Sequence, residues 1–372
     1  MKKLFLFLSL LASLSLEAQF VTTFAKNASE SQSEGMMYYL PRNVIRLEFT
    51  IEETDSFIGP YAELASQLLG TNDYIKESKS EYVVKNIDIQ TFTETDPSAV
   101  YYISQDEKSK EPMPNIIVSD NGVILAVGYD SIPQKYHVCN NTLIKNNLET
   151  IERVEVSFIE IPDSEVEIDD EEDDDEGGGN KKPRPITKED KAKVALDKIT
   201  NIRNAYFDLI SGNQEIASGE IIKCMVEQMK NLENEYVSLF KGKTQRYTYK
   251  KVVYVTPESN QTNASLSIAK FSKNEGFGDA SGKGETVKIQ FERQNSLENI
   301  DRMSEEAMNT AQVSKLFYRV PASSQVKILM GNNVIAESTL IINQFGYIKA
   351  ISAKNNKILF NPKTGQIISM LK

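Results

Sequence analysis

Two long amphipathic segments in the middle of the chain restrict the fold most. The first begins at a capping-box variant, Thr187 with Asp190, and its apolar residues recur at helical spacing as far as Gly212. The second begins near Ser218 and ends at Gly242. Each would form a helix about 35 Å long, because an α-helix rises about 1.5 Å per residue. With only a short polar turn between them, the two segments predict an antiparallel helical hairpin.

The apolar stripe of this hairpin has two interpretations. It can dock on the protein's own β units, or it can offer its free edge to a partner as a binding arm. Four residues of the second helix are our candidate contacts for a partner: Ile222, Met225, Met229 and Leu232. Charge substitutions there would unfold the protein in the first case and abolish association in the second.

The rest of the chain shows the two-residue period of β-strands. Ile45, Leu47, Phe49 and Ile51 alternate with polar residues, which indicates a strand with one buried face. Similar runs predict strands at 82–92, 115–118, 123–127, 154–161, 249–255, 265–271, 286–292, 326–330, 338–342, 347–351 and 357–361. Short strands at nearly even spacing are typical of sandwiches and small barrels. We therefore expect an α+β fold, mostly antiparallel β, with the helical hairpin inserted.

At 372 residues, the chain is too long for one compact core. The predicted organisation is a signal peptide at 1–18, a β-rich domain at 19–162, a flexible linker at 163–186, the helical hairpin at 187–242 and a second β-rich domain at 243–372. Eight consecutive acids at 169–176 and three glycines after them explain the linker, since repulsion and glycine freedom prevent packing. A calcium loop needs alternating acids and a central glycine, which this run lacks.

The N-terminus has the pattern of an export signal. Lys2 and Lys3 precede an apolar run at 4–16, and Ala18 offers a small residue for cleavage. No cysteine near Ala18 could receive a lipid, and no later apolar run is long enough to cross a bilayer. We expect an exported protein of the periplasm or outer cell envelope, cleaved after Ala18, with neither a lipid anchor nor a transmembrane segment.

The net charge of −11 comes from one window. Eleven acids lie at 163–176, and the remainder balances 42 basic against 42 acidic residues. The remainder therefore has no bias toward polyanions, which argues against nucleic acid as a partner.

Motifs for catalysis are weak. His137 and Cys139 are spaced to share one face of a strand, as a catalytic Cys–His pair or two metal ligands would be. His137 is the only histidine of the chain, and an ordinary strand histidine is the simpler interpretation. Cys139 and Cys224 would pair only if the fold brought their Cα atoms within about 7 Å, so pairing and separate thiols both stay open.

The glycine-rich stretch at 276–284 lacks the spacing of a phosphate loop and predicts a hairpin loop. A non-catalytic role without a cofactor is favoured over an envelope hydrolase, or a carbohydrate-active or carbohydrate-binding protein, with a site between the β units.

Five short motifs are distinctive enough to compare the chain with a known family. They are YLPR at 39–42, GPYA at 59–62, EYVSLFKG at 235–242, YRVP at 318–321 and QFG at 344–346. With them the chain resembles an exported Bacteroidota family of unknown function, over nearly the whole mature length. The resemblance implies no catalytic residue, and the acidic run departs from the pattern of the family as a local insertion.

The same resemblance implies a modification site. Bacteria of this lineage attach O-glycans to exported proteins at Asp followed by Ser or Thr and an aliphatic residue. Asp130, Ser131 and Ile132 fit, so Ser131 is a hypothesised glycan site. Together these inferences suggest an exported binding or scaffolding component with an envelope protein as partner, and they leave homo-oligomerisation open.

Export predicts that protein purified from its native cell begins at Gln19, and modification predicts a mass above that of the 19–372 polypeptide. Intact-mass spectrometry, with a Ser131→Ala variant as control, measures both. A chain that begins at Met1 would contradict export, and identical modification masses for variant and wild type would contradict a glycan at Ser131.

Overall fold

The computed structural model describes residues 19–27, 35–133, 152–167, 184–211, 219–294 and 311–372. Its strands are β1 (Phe20–Phe24), β2 (Gly35–Phe57), β3 (Lys79–Gln105), β4 (Ile116–Val118), β5 (Ile124–Val127), β6 (Lys243–Val255), β7 (Ser265–Ser272), β8 (Gly276–Gly278), β9 (Glu285–Arg293), β10 (Gln312–Val313), β11 (Lys315–Met330), β12 (Asn333–Ser352), β13 (Lys357–Phe360) and β14 (Ile367–Leu371). Its α-helices are α1 (Ala65–Leu68), α2 (Lys188–Ile210) and α3 (Gly219–Lys241). This confirms the α+β class with an inserted helical hairpin.

The strands of the described residues form three antiparallel sheets, none of which closes into a barrel. Sheet I has the order β10-β1-β3-β2-β6, sheet II the order β12-β11-β9-β7-β8, and sheet III the order β14-β13-β5-β4. Sheets I and III each combine strands that precede the helical hairpin in sequence with strands that follow it. The β segments on the two sides of the hairpin therefore share these two sheets.

The first core lies between sheets I and II. The alternating residues Ile45, Leu47, Phe49 and Ile51 of β2 are all fully buried, as their period predicts. They pack against apolar side chains of β7, β9, β11 and β12. Burying each large apolar side chain stabilises the fold by about 1.5–3 kcal/mol, so this layer holds the two sheets together.

The second core lies at the other end of sheet I, against sheet III and the outer ends of β11 and β12. Its centre is an aromatic stack in which the Tyr101 ring lies 5.5 Å from Tyr38 and 4.4 Å from Phe317. The Tyr38 hydroxyl donates to the carbonyl of Phe317 at 3.2 Å and accepts from its amide at 2.9 Å. Burial raises the pKa of Tyr101 to about 12, so the stack stays neutral at physiological pH.

A bulge divides the β2–β3 ladder between the two cores. Tyr39 pairs with Val100 and Pro41 with Thr95, so the single residue Leu40 faces four residues of β3. On the near side of the bulge the even-numbered residues of β2 enter the core, and beyond it the odd-numbered ones do. The bulge thus lets one long strand serve both cores.

The β11–β12 ladder has a bulge of the same size. Val320 pairs with Tyr347 and Ala322 with Ile342, so Pro321 alone faces four residues of β12. Pro321 lacks an amide hydrogen, and a bulge is one of the few places in a sheet that tolerates proline. The two longest ladders of the described residues, β2–β3 and β11–β12, are therefore each interrupted by a bulge of one residue opposite four.

A buried ion pair joins the two bulges. The Arg319 Nη2 atom donates to Asp96 Oδ2 at 2.5 Å, and Nη1 donates to the carbonyl of Pro41 at 2.9 Å. Ser98 completes the site by donating its amide and hydroxyl to Asp96 Oδ1. Burial alone would raise the pKa of Asp96, but the Ser98 hydrogen bonds and the Arg319 charge outweigh it, so this pKa lies below the usual value.

The predicted helix boundaries are close to those observed, and the capping box is confirmed: Thr187 and Asp190 exchange side-chain and backbone hydrogen bonds. One strand prediction is wrong, because 154–161 forms no ladder. Side chains meet its backbone instead, with Tyr247 donating to the Val154 carbonyl and Lys243 to that of Ser157. The sequence analysis also did not predict β1, β8, β10 or β14.

Breaking the buried pair should cost far more than breaking an exposed one. Arg319→Met leaves Asp96 buried without its cation and should lower the free energy of unfolding by about 3–5 kcal/mol at pH 7. Because the folded-state pKa of Asp96 is depressed, its contribution is present above about pH 4 and is lost as the pH falls through the folded-state pKa. Urea denaturation at pH 7 and pH 3 should therefore show a smaller gap between variant and wild type at the lower pH.

The control is Lys79→Met, which removes an ion pair with Glu81 whose side chains are about half exposed. It should change the unfolding midpoint little. An Arg319→Met variant as stable as this control would contradict the structural role of the buried pair.

Candidate functional site

The helical hairpin has a base that is fixed to the rest of the protein. Small residues on α2, Ala192 and Ala195, allow close approach to Leu239 and Phe240 at the end of α3. The ring of Tyr61 lies 5.7 Å from that of Phe240. We call this cluster the hairpin base: Tyr61, Ala65, Ile161, Ala192, Ala195, Ile199, Leu239 and Phe240.

Backbone hydrogen bonds lock the hairpin base in place. The amide of Tyr61 donates to the carbonyl of Leu239 at 2.8 Å, and that of Ile75 donates to the carbonyl of Lys241 at 2.9 Å. Gly59 must approach α3 so closely that a Cβ atom would overlap the Leu239 carbonyl. Gly242 ends the helix at φ +86°, a conformation that glycine adopts without strain. The segments that carry GPYA and EYVSLFKG thus bind each other.

The other end of the hairpin, residues 202–210 and 219–233, is different, and we call it the hairpin tip. Four of its large apolar side chains are unusually exposed: Phe207 at 65%, Ile210 at 56%, Ile221 at 52% and Leu232 at 45%. Arg203 bridges the helices by donating to Glu233 at 2.7 Å. Ile221 and Leu232 are eleven residues apart and so share one face of α3, because eleven residues make about three turns. The tip therefore presents an apolar surface to solvent.

The four residues named from sequence lie on this tip in two environments. Ile222, Met225 and Met229 are half-buried, and Leu232 is exposed. Phe207 and Ile210, which continue the apolar period of α2, are exposed. The periodicity locates the apolar stripe but cannot tell how much of it the neighbouring helix covers.

The remaining motifs meet at the junction of the two bulges. The Gln344 side chain accepts from the Asn43 amide at 2.9 Å and donates to the Asn43 carbonyl at 2.8 Å, as a paired strand would. Asn343 donates its amide to Asn43 Oδ1 at 2.7 Å. A Cβ atom on Gly346 would overlap the carbonyl of Val320. YLPR, YRVP and QFG thus belong to one joint that contains the Arg319–Asp96 pair.

Other residues named from sequence are scattered or lie outside the described residues. Ser131 and Cys224 are both exposed. The leader at 1–18, the acids at 169–176, His137 and Cys139 fall in parts of the chain that the structure does not describe. The stretch at 276–284 connects β7 to β9 through β8 and turns, which confirms the hairpin loop.

The described ranges hold neither a metal cluster nor a membrane-spanning helix. No group of three His, Cys, Asp or Glu residues is placed to hold a metal ion. No described helix has both the length and the hydropathy needed to cross a bilayer.

The sequence analysis missed two buried carboxylates. The inward phase of β2 that contains Ile51 continues to Glu53 and Asp55, which are 1% and 8% exposed. Acids in the phase of a strand's core face are the signal that could have revealed them, since buried carboxylates need partners. Arg153, which pairs with Glu53 at 2.8 Å, comes from a segment whose path the sequence does not predict.

Gly59→Ala should loosen the hairpin base, because its methyl group would overlap the Leu239 carbonyl. We expect a loss of about 1–3 kcal/mol in local stability and faster amide hydrogen exchange at 59–65 and 236–241, measured by mass spectrometry. The control is Gly278→Ala, whose Cβ would meet nothing within 4 Å. Unchanged exchange in Gly59→Ala would show that this contact does not hold the hairpin.

Comparisons with known proteins concern the whole chain. No curated protein and no solved structure matched it. The family model of a domain of unknown function, DUF4831, matches residues 34–160 and 186–368. The match includes all five motifs and leaves out 161–185, where the acidic run lies. Since the matched residues make up most of the chain, the protein belongs to the DUF4831 family.

Proposed function

We propose that this protein is exported and acts in the periplasm or outer cell envelope as a non-catalytic binding or scaffolding component, with the hairpin tip as its docking surface. The observation that carries the proposal is the contrast between the two ends of one hairpin. Its base is buried and hydrogen-bonded to the body, whereas its tip exposes four large apolar side chains. Large exposed apolar side chains that gather at one end of a hairpin favour an interaction site there.

The charges around the tip indicate the type of partner. Three basic residues stand against four acidic ones: Arg203, Lys223, Lys230, and Asp208, Glu220, Glu227, Glu233. This near balance favours neither nucleic acid nor an anionic lipid surface. We therefore infer a protein partner with an apolar surface and a rim of mixed charge.

The export part of the proposal rests on the leader at 1–18. The exposure of Ser131 supports the glycan proposal, because it makes that hydroxyl accessible to glycan transfer. The alternative function, a hydrolase or carbohydrate-binding protein with a site between the β units, is not part of our proposal. Packed side chains such as Phe49, Phe291 and Phe345 fill the space between sheets I and II.

The test is a pair of substitutions on the tip. Phe207→Glu with Leu232→Glu should leave the thermal unfolding midpoint within a few degrees of wild type, because both side chains already face solvent, and should lower partner capture at least tenfold. Capture is measured by in-cell cross-linking of the full chain, with the cross-linked peptides mapped to 202–210 and 219–233.

The matched control is Val334→Glu, a similarly exposed apolar residue on the β body, at 52%. It should leave capture unchanged. Equal capture by the tip variant and wild type would contradict the proposal, and cross-links that join two identical tip peptides would replace a foreign partner with self-assembly.

A further inference from the structure

A second candidate site lies near the hairpin base, where the last residues of β2 pair with the first residues of β6 in sheet I. Glu53 of β2 is almost completely buried there, but it has partners. Arg153 Nη2 donates to its two oxygens at 2.8 and 2.9 Å, and the Tyr82 hydroxyl donates to Oε1 at 3.0 Å. The guanidinium of Arg153 also lies 5.7 Å from the centre of the Tyr247 ring. The Glu53 carboxylate is thus neutralised within the protein.

Asp55, two residues further along the same face, is not satisfied in this way. Its Oδ2 atom lies 3.9 Å from Arg153 Nη1, which is too far for a hydrogen bond. Its Oδ1 atom is buried and accepts no hydrogen bond from the described residues. A buried carboxylate oxygen without a donor lowers the stability of the folded protein, because it has lost its water and gained no hydrogen bond. A bound ligand that donates a hydrogen bond would offset this loss.

A second unpaired acceptor lies beside it. Gln245 of β6 is directly opposite Asp55 in the ladder, so the two side chains leave the same face of sheet I. The Gln245 Oε1 atom is also buried and without a donor among the described residues. Two neighbouring residues, Asp55 and Gln245, therefore each have a buried oxygen without a hydrogen-bond donor among the described residues.

Gln245 lines a cleft of about 610 Å³, and Asp55 lies directly behind it on the neighbouring strand. The segment 154–159, the end of α3 and residues 243–245 of β6 line the cleft, and Gln245 belongs to its wall. The volume is in the usual range for a small-molecule site. Phe158 provides an aromatic wall, over which the Lys243 ammonium lies 5.3 Å from the ring centre.

The charges around the cleft determine what it can accept. The charged residues that line the cleft are Glu155, Glu235 and Lys243. Asp55 and the Glu53–Arg153 pair lie next to this lining, on the side of Gln245. Lys243 is already engaged, since its Nζ atom donates to Glu235 at 2.6 Å and to the Ser157 carbonyl at 2.8 Å. The site therefore favours a ligand that brings positive charge and hydrogen-bond donors.

We propose that this cleft binds an organic ammonium group, which donates hydrogen bonds to Asp55 Oδ1 and Gln245 Oε1. A metal ion fits less well, because calcium takes six to eight oxygen ligands and the unpaired acceptors here are two. A free polyamine and the amine of a peptide, from a lysine or an N-terminus, share this chemistry. The inference is independent of the hairpin tip and goes beyond the proposed docking function.

The test is isothermal titration calorimetry of the full mature chain with 1,5-diaminopentane and with a lysine-containing tripeptide. The neutral probe 1,5-pentanediol has the same length without the charge, and calcium chloride tests the metal. Saturable binding of either amine, with no binding of the diol or of calcium, is the expected result. The tighter amine identifies the source, and failure of both amines to bind would overturn the proposal.

Variants link the binding to the two acceptors. Asp55→Asn should weaken amine binding about 10- to 100-fold, as expected for loss of one charge-assisted hydrogen bond, and should not lower the unfolding midpoint of the free protein. Gln245→Met removes the second acceptor at similar volume and should weaken binding several-fold. It also tests the site if Asp55→Asn fails to fold.

The matched control is Glu160→Gln, which removes an exposed acid of the same segment that does not line the cleft. It should bind amines as wild type does. Equal weakening by this control would show a general charge effect and would overturn the assignment to Asp55, as would unchanged affinity in both Asp55→Asn and Gln245→Met.

Discussion

The buried pair between Arg319 and Asp96 is the interaction on which the rest of the fold depends. It lies where two long ladders, β2–β3 and β11–β12, both bulge, and it ties β11 to the bulge of β3 and to the Pro41 carbonyl. Without this tie the two ladders could slide or splay, because each must change its side-chain phase there to serve both cores. The cation and the carboxylate bind each other and neighbouring protein groups, which gives the pair a structural role.

This arrangement explains why the short motifs identify the family and say nothing of a mechanism. YLPR, YRVP and QFG form one joint, and GPYA and EYVSLFKG form the other. In the first joint the Gln344 side chain makes the two hydrogen bonds with the Asn43 backbone that a neighbouring strand would make. Gly346 has no side chain, so its backbone can lie against the Val320 carbonyl. In the second, Gly59 and Gly242 let a β connection and a helix end touch. Both joints hold elements at fixed angles.

Residues that do not stabilise the fold are therefore the better candidates for function. The hairpin tip is one such place, because its exposed apolar side chains weaken solubility without adding to the core. The cleft beside the hairpin base is another, because Asp55 and Gln245 place polar oxygens in a buried position that an apolar pair would fill at less cost. The two places are distinct, and α3 runs from one to the other.

Local patterns in the sequence determined much of the secondary structure. The capping box fixed the start of α2, and the two-residue alternation fixed the buried face of β2. The sequence could not show that β6 pairs with β2 and that β13 pairs with β5, because pairing between distant strands leaves no local period. Nor could it separate hairpin base from tip, since both carry the same apolar stripe. Only tertiary contacts decided which part of that stripe is buried, and which acids of β2 found a partner.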